Sequence, residues 1–339
     1  MPFHDGPGRW TAAGALYLAG CVMAAALVGL AAAADRAGAA DWPTRAVTVV
    51  VPFAAGGNTD MMARLGAERL TARFGQSFVV ENRPSAGGAV AANQVARAAA
   101  DGYTLLFSAS ATLMLTPLVQ KVSYDADRDF IPITNMGTGT QVLAVRRDLP
   151  VGTFAELIAY AKANPGKLNY ASSGIGTPPH LAGELFKTMA GIDIVHVPFR
   201  EANSALNSVI SGATQMSFVI ASIAQSQMSG GTVRGLAVTS KQASALVPGV
   251  PPVAQAGLPG FEVVGWNGFV APKATPQRVV ARLSDALLAG LGDPELRKRV
   301  AAAGYEPAER NTPQEFAAFI AADTAKWLDL VAKTNMKGN

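Results

Sequence analysis

From Trp42 onward, runs of β-branched and apolar residues alternate with stretches of helical spacing. Ala46 to Phe53 (AVTVVVPF) is a near-continuous apolar run bounded by Pro52, as expected of a strand covered on both faces. Gly56-Gly57-Asn58 follows, and the spacing then predicts a helix over Thr59 to Phe74 that stops at Gly75. Phe78 to Glu81 reads as a strand, Gly88 to Ala100 as a helix ending at Asp101-Gly102, and Thr104 to Phe107 as another strand. This βαβαβ rhythm argues for a mostly parallel sheet with covering helices.

The rhythm changes to extended segments around Ile131 to Val145, where a crossing between two lobes would fit. It then restarts with Thr153 and Glu156, a capping box opening a helix that ends near Asn164-Pro165-Gly166. Leu168 to Ala171 and Ile194 to Val197 read as strands around a helix from Leu181 to Ala190. Gln215 to Ile220 and Val233 to Val238 are strand-like with a helix between them. An irregular stretch punctuated by Pro248, Pro251, Pro252 and Pro259 precedes a strand at Gly268 to Val270. The remainder is helical: Gln277 to Leu291, Pro294 to Ala303, and Pro313 to Ala332 behind a Thr312/Glu315 capping box. Two βα lobes with the terminal helices returning to the first is the simplest organisation.

The first 40 residues have a different texture. Arg9 supplies a thin positive region, Thr11 to Ala34 carries no charge, and Ala37-Gly38-Ala39-Ala40 offers small residues for cleavage. This predicts an export signal over residues 1–40. Leu18-Ala19-Gly20-Cys21 also fits a lipoprotein box, and the uncharged run is long enough to anchor the chain in a bilayer. Each reading places the body outside the cytoplasmic membrane, with acylation of Cys21 left open.

Composition narrows the function. Of 339 residues, 28 are Lys or Arg and 24 Asp or Glu, and the basic residues are scattered. Without a basic stripe interleaved with aromatics, nucleic-acid binding is not expected. The single cysteine, Cys21, excludes a disulfide, thiolate zinc site or iron–sulfur centre built from this chain alone. No metal or cofactor site is expected, and the chain is expected to be a monomer.

Two segments share one physical design. Pro52 to Asn58 and Ser172 to Pro178 each lead from a strand end through glycines into a helix start. Glycine brings backbone N–H groups close to a ligand, and a helix N-terminus adds unpaired donors and partial positive charge. The pair could hold carboxylate or phosphate, one site per lobe; ordinary βα turns with Asn58 and Thr177 as N-caps would look the same. Asp60 fits a first-turn carboxylate favoured by the helix dipole. No phosphate-loop lysine follows Gly56-Gly57, and Gly137-Thr138-Gly139 is only the start of a dinucleotide fingerprint.

Catalytic motifs are lacking. His180, beside the second glycine turn, either donates to an anion or hydrogen-bonds locally, and His196 fits a structural role in its strand. No G-x-S-x-G or H-E-x-x-H motif is present. Trp266 and Phe269 either line a cleft or pack the first lobe's core.

The ordered set of short motifs resembles the extracytoplasmic binding receptors of tripartite tricarboxylate transporters, the Bug family. It runs from Trp42-Pro43 and Val49 to Phe53 through Val80-Glu81-Asn82-Arg83-Pro84 and Asp101-Gly102-Tyr103. It continues through Leu168-Asn169-Tyr170, His180 to Phe186, Leu236 to Ser240, Pro259-Gly260-Phe261-Glu262 and Ala271-Pro272, spanning nearly all of residues 42–335. The resemblance implies an α/β, two-lobed periplasmic binding fold of the Venus-flytrap, type II-like class, each lobe a mixed sheet covered by helices. Lobe one would comprise residues 41–141 and 262–339, and lobe two residues 142–261. A small carboxylate would sit between them, held by main-chain donors and waters, for delivery to membrane subunits of the transporter.

Carried over, the resemblance nominates Ala55, Gly56 and Asn58 in lobe one and Ser173, Gly176, Thr177 and His180 in lobe two. Ser108 and Ser110 match its small polar residues after the third strand. The chain departs from the family pattern at Phe199-Arg200-Glu201 and at Ile220. Arg200 in place of the usual lysine position, and Ile220 in place of a frequent aspartate, would bias the cleft toward anionic groups. The same module could serve as a sensor for a signalling receptor. An exported serine hydrolase using Ser172 or Ser173 with His180 is the alternative of a different class, and a nicotinamide enzyme a remoter one.

Overall fold

A computed structural model describes residues 42–199, 202–309 and 311–333 of the chain. The expected export signal, Cys21 and the candidate Arg200 lie outside the described residues. The described residues from Arg45 onward form one compact unit.

Among the described residues ten strands occur in the order β1 (Val47–Val51), β2 (Phe78–Asn82), β3 (Thr104–Ala109), β4 (Phe130–Arg146) and β5 (Leu168–Ser172), followed by β6 (Ile194–Pro198), β7 (Met216–Ile220), β8 (Val233–Val238), β9 (Val264–Pro272) and β10 (Glu306–Pro307). The helices of eight or more residues are α1 (Asn58–Phe74), α2 (Ala89–Ala96), α3 (Phe154–Ala163), α4 (Pro178–Ala190) and α5 (Ala202–Ile210), then α6 (Ala221–Ser229), α7 (Gln277–Leu291), α8 (Pro294–Ala302) and α9 (Pro313–Lys333). The strands join in the order β2-β1-β3-β9-β4-β7-β5-β6, with β8 and β10 each pairing β4.

The sheet is mixed. The βα rhythm at each end yields parallel ladders, β1 with β2 and β3 and β5 with β6 and β7. The centre is antiparallel, because β9 returns from a distant part of the chain between β3 and β4. The mostly parallel sheet expected from rhythm alone is corrected there: antiparallel pairing of segments far apart in sequence, such as Phe130 with Pro272, leaves no local signal.

Strand β4 organises the molecule. Residues 130–140 pair with β9, and Gly137 and Thr138 also pair with β10. Residues 141–146 pair instead with β7 on one side and β8 on the other. The chain comes back beside this change of partners, where Thr239 N–H donates to Gln141 O at 2.9 Å and Val263 N–H to Thr239 O at 2.9 Å.

Cores form on either side of the switch. Around β1, β3 and β9, Val50, Leu106, Leu113 and Val270 pack with Phe130, Trp266 and Phe316. Trp266 meets Phe316 edge to face at 5.1 Å within this core, whereas Phe269 meets Phe107 at 4.8 Å and is buried against α1. Around β5 and β7, Tyr170, Phe154, Phe186, Phe218 and Phe261 are buried together. Both helices that follow glycine turns dock through a glycine on a ring. A methyl group on Gly66 of α1 would overlap Phe269, and one on Gly183 of α4 would overlap Tyr170.

Several boundaries differ from the pattern reading. The helix expected over Gly88 to Ala100 spans Ala89–Ala96, and the strand expected at Gly268 to Val270 is the whole of β9. Gly137-Thr138-Gly139 lies inside β4, in no phosphate-binding turn. Its glycines make room for neighbours: a methyl on Gly139 would stand 3.0 Å from the Tyr305 ring and 3.4 Å from Ile220 Cδ1. Both capping boxes form, with Glu315 N–H donating to Thr312 Oγ1 at 3.2 Å and Thr312 N–H to Glu315 Oε2 at 2.7 Å. In the other box, Thr153 Oγ1 receives the N–H of Glu156, whose carboxylate reaches one residue further back to Gly152 N–H at 2.6 Å.

Candidate functional site

The first candidate loop runs from β1 into α1. Ala55 and Gly56 are exposed, Asn58 is half-buried, and Gly56 takes φ +81°, a left-handed conformation that glycine adopts without steric cost. The loop is fixed from below by Asp60, only 2% exposed. Its Oδ2 accepts Gly56 N–H at 2.9 Å and Arg64 Nε at 2.9 Å. Its Oδ1 accepts Asn82 Nδ2 at 2.8 Å, and the same amide donates to Phe53 O at 3.0 Å. Burial pushes the Asp60 carboxyl up, but the hydrogen bonds from Arg64, Gly56 and Asn82 outweigh it and leave it below its ordinary value. Asp60 is therefore the charged anchor of the loop, rather than only a dipole-facing carboxylate.

Gly57, in extended conformation, is the N-cap of α1, so Asn58 is the first helical residue instead of the cap. The helix thus begins with N–H groups from Asn58, Thr59 and Asp60, which have no residue four back within the helix to donate to.

The second loop runs from β5 into α4 and repeats the construction. Gly176 takes φ +73° and its N–H donates to His180 Nδ1 at 3.2 Å. The spacing equals that of Gly56 and Asp60: a residue just before the N-cap donates to a side chain four positions on. Thr177 is the N-cap, but its hydroxyl turns back to Gly174 O at 2.7 Å. Ser172 Oγ accepts Gly174 N–H at 3.1 Å and lies 2.6 Å from His196 Nε2. Ser173 and Thr177 are half-buried at the turn, with Ile175 exposed between them.

Beneath the loop is a stack of three rings. His180 lies on His196 with centroids 4.1 Å apart, and His196 lies on Tyr170 at 4.8 Å. The Tyr170 hydroxyl donates to Glu184 Oε1 at 2.7 Å. Burial holds the His180 imidazole below its ordinary pKa despite Glu184, and burial together with His180 pushes His196 down to about 3. Both rings are neutral near pH 7. Because Nδ1 of His180 accepts a hydrogen bond, its proton resides on Nε2. His180 therefore hydrogen-bonds locally through Nδ1. The serine–histidine pairing expected for a hydrolase is also corrected: Ser172 faces His196 instead of His180, and Ser172 is fully buried.

The structure brings the two loops toward the same strands. A methyl on Gly265 of β9 would lie 3.6 Å from Ser110 Oγ, 3.7 Å from Pro178 Cγ and 3.9 Å from Gly139 O. Gly304 is flanked likewise by Asn58 Nδ2 of α1 and Ser222 of α6. Beside it Tyr305, held by burial above the ordinary phenol pKa, is hydrogen-bonded to Thr59 and Asn267. Ser110 thus joins the meeting of the two ladders, whereas Ser108 is fully buried in β3 with its hydroxyl on Ala109 O at 3.1 Å. Sequence reading missed Asn82, Ser222, Asn267 and Tyr305. Only the Gly-to-i+4 spacing was available as a signal, for Asp60 and His180.

Among the described residues no helix is long and apolar enough to cross a membrane, and no three His, Cys, Asp or Glu side chains are placed to hold a metal ion.

Residues 62–336 match the family described as the tripartite tricarboxylate transporter family receptor. Protein BugT of Bordetella pertussis is 32% identical over 87% of this chain and 91% of its own length. Among solved structures, R. palustris Rpa4515 with adipate is 36% identical with a TM-score of 0.77, covering 86% of this chain and 97% of that one. MatC from Rhodopseudomonas palustris with bound malate is 32% identical with a TM-score of 0.73, covering 86% of this chain and 100% of that one. The mixed sheet, the paired glycine loops and these likenesses agree: the chain belongs to the tripartite tricarboxylate transporter receptor family, a family of solute-binding proteins.

Proposed function

We propose that the protein is a periplasmic receptor that captures a small carboxylate between two lobes and delivers it to the membrane subunits of a tripartite tricarboxylate-type transporter. The lobes would be residues 41–141 with 262–339 and residues 142–261, joined where β4 changes partners. The observation that carries the reading is the matched pair of glycine loops, each braced by a side chain four residues on and each opening a helix N-terminus. The adipate and malate of the two relatives support a carboxylate as the ligand. Capture would act by population shift: a ligand touching both lobes stabilises the closed arrangement that the membrane partner recognises. Binding without chemistry fits the burial of Ser172.

The ligand contacts proposed are Ala55, Asn58, Ser110, Ser173 and Thr177, together with Arg200. The N–H groups of Gly56 and Gly176 are committed to Asp60 and His180, so these glycines would serve by shaping the loops. The test is thermal shift and calorimetry on protein starting at Asp41, across mono-, di- and tricarboxylates, aromatic acids and acidic amino acids. A melting temperature that rises with the concentration of one acid class, with the acid recovered unchanged, is the expected result. A flat response from protein shown by mass spectrometry to be free of co-purified ligand would overturn it.

A further inference from the structure

Two imidazoles under the second loop, His180 buried and His196 half-buried, have no part in a simple carboxylate clamp. His180 is 5% exposed, and its Nδ1 is the acceptor that fixes Gly176 N–H. Gly176 in turn is linked to the remainder of the turn, whose Gly174 carbonyl takes both Thr177 Oγ1 and Thr177 N–H. A ring nitrogen can accept a hydrogen bond only while it is unprotonated. An imidazolium at this position would place two N–H groups facing each other and push Gly176 away.

We propose that His180 is the positioning residue of the second binding loop, acting through Gly176, and that protonation of His180 releases the loop and lowers ligand affinity. The inference rests on the reading of Ser173 to Thr177 as a ligand-binding turn.

The surroundings of His180 support a switch of this kind. From α4 itself, Glu184 favours the charged ring. From β6, His196 stacks on it at 4.1 Å, and from β5, Tyr170 lies behind His196 with its hydroxyl on Glu184. Strand β7, which also packs against α4, carries no titratable side chain. The neutral state of His180 is thus held by burial and opposed by one carboxylate. The first loop contains no comparable group, since Asp60 is held charged by Arg64 and Asn82.

The experiment follows the Gly176 amide and the His180 ring nitrogens by 15N NMR from pH 8 to pH 4.5 without ligand. Calorimetry with adipate and with malate over the same range runs alongside. In the wild type, loss of protection at Gly176 should track protonation of His180, and affinity should fall roughly fivefold beyond the probe's own titration. His180→Asn, whose Oδ1 can accept the same bond but cannot titrate, should keep Gly176 protected and remove the excess pH dependence. His180→Leu should leave Gly176 unprotected and binding weak at every pH. A Gly176 amide indifferent to protonation of His180, or equal pH profiles for wild type and H180N, would overturn the proposal. Failure of both acids to bind at pH 8 would count against the carboxylate reading alone, because the amide signal judges the positioning role without ligand.

Discussion

The two glycine loops solve one problem with different chemistry. Each ties the N–H of the residue before the N-cap to a side chain four positions on, Gly56 to Asp60 and Gly176 to His180. In the first, the acceptor is a carboxylate paired with the Arg64 guanidinium and hydrogen-bonded by the Asn82 amide. In the second, it is a neutral ring stacked on His196 and Tyr170. The helices differ as well. α1 begins with three ordinary residues and offers three N–H groups, whereas α4 begins with Pro178 and Pro179, which have none. An anion at the first loop can be met by helix donors. At the second, the helix would contribute its dipole and the backbone N–H of His180, so in the proposed site side-chain hydroxyls and the shape of the turn would carry more of the contact. Equal topology therefore does not make equal loops.

The comparison is broken most severely at the docking glycines. Gly183→Ala forces a methyl into the Tyr170 ring and Gly66→Ala into Phe269. Each should lower stability by about 3 kcal/mol, measured by chemical denaturation. Only G183A should also disturb the His180 and His196 ring signals in NMR. Next comes Asp60→Ala, which leaves Gly56 N–H without its acceptor beneath the loop and takes from Asn82 Nδ2 one of its two. It should cost about 2 kcal/mol, less than a fully buried pair because Arg64 is half-exposed, and weaken any ligand held by the first loop. An unchanged denaturation midpoint would show that Asp60 does not anchor it.

Acid separates the loops by pH. The imidazoles have lowered pKa values in the folded protein, so the unfolded chain takes up protons first and stability falls as pH drops below about 6.5, the ordinary histidine value. For His196 that loss continues toward about 3. Asp60 is likewise lowered, so its contribution is present above the ordinary aspartate value of about 4 and is lost only as pH falls below it. Thermal melts from pH 8 to 3 should therefore show an early loss that His196→Gln reduces and a late one that Asp60→Asn reduces.

Ile220→Asp, which places a carboxylate at the start of α6 near Gly139 and Tyr305, should weaken carboxylate binding severalfold by like-charge repulsion, measured by calorimetry. No change would remove Ile220 from the site. The smallest effect is expected from Thr177→Val, which deletes the hydroxyl bond to Gly174 O at a cost of about 1 kcal/mol.

Much of the molecule is legible in the chain. The β-branched run of β1, the glycine turns and the capping residues Thr153 and Thr312 act over a few residues, so periodicity and spacing locate them. The alternation of strands and helices implies an α/β body, and the ordered motifs implied the family before any coordinates. The parallel ladders at the sheet ends follow from the same local rhythm. What residues 1–40 imply, an export signal, is likewise a reading of sequence alone.

Tertiary structure decided the rest, because the partners are far apart in sequence. The antiparallel centre of the sheet depends on β9 meeting β4 across more than a hundred residues. Tyr305 reaches Thr59 and Asn267 from another part of the chain, and Ser172 meets His196 of β6 instead of His180. The roles of Asp60 and His180 were decided in the same way. Spacing placed each in the first turn of a helix, but only burial and the side chains packed against them made one a charged anchor and the other a neutral acceptor.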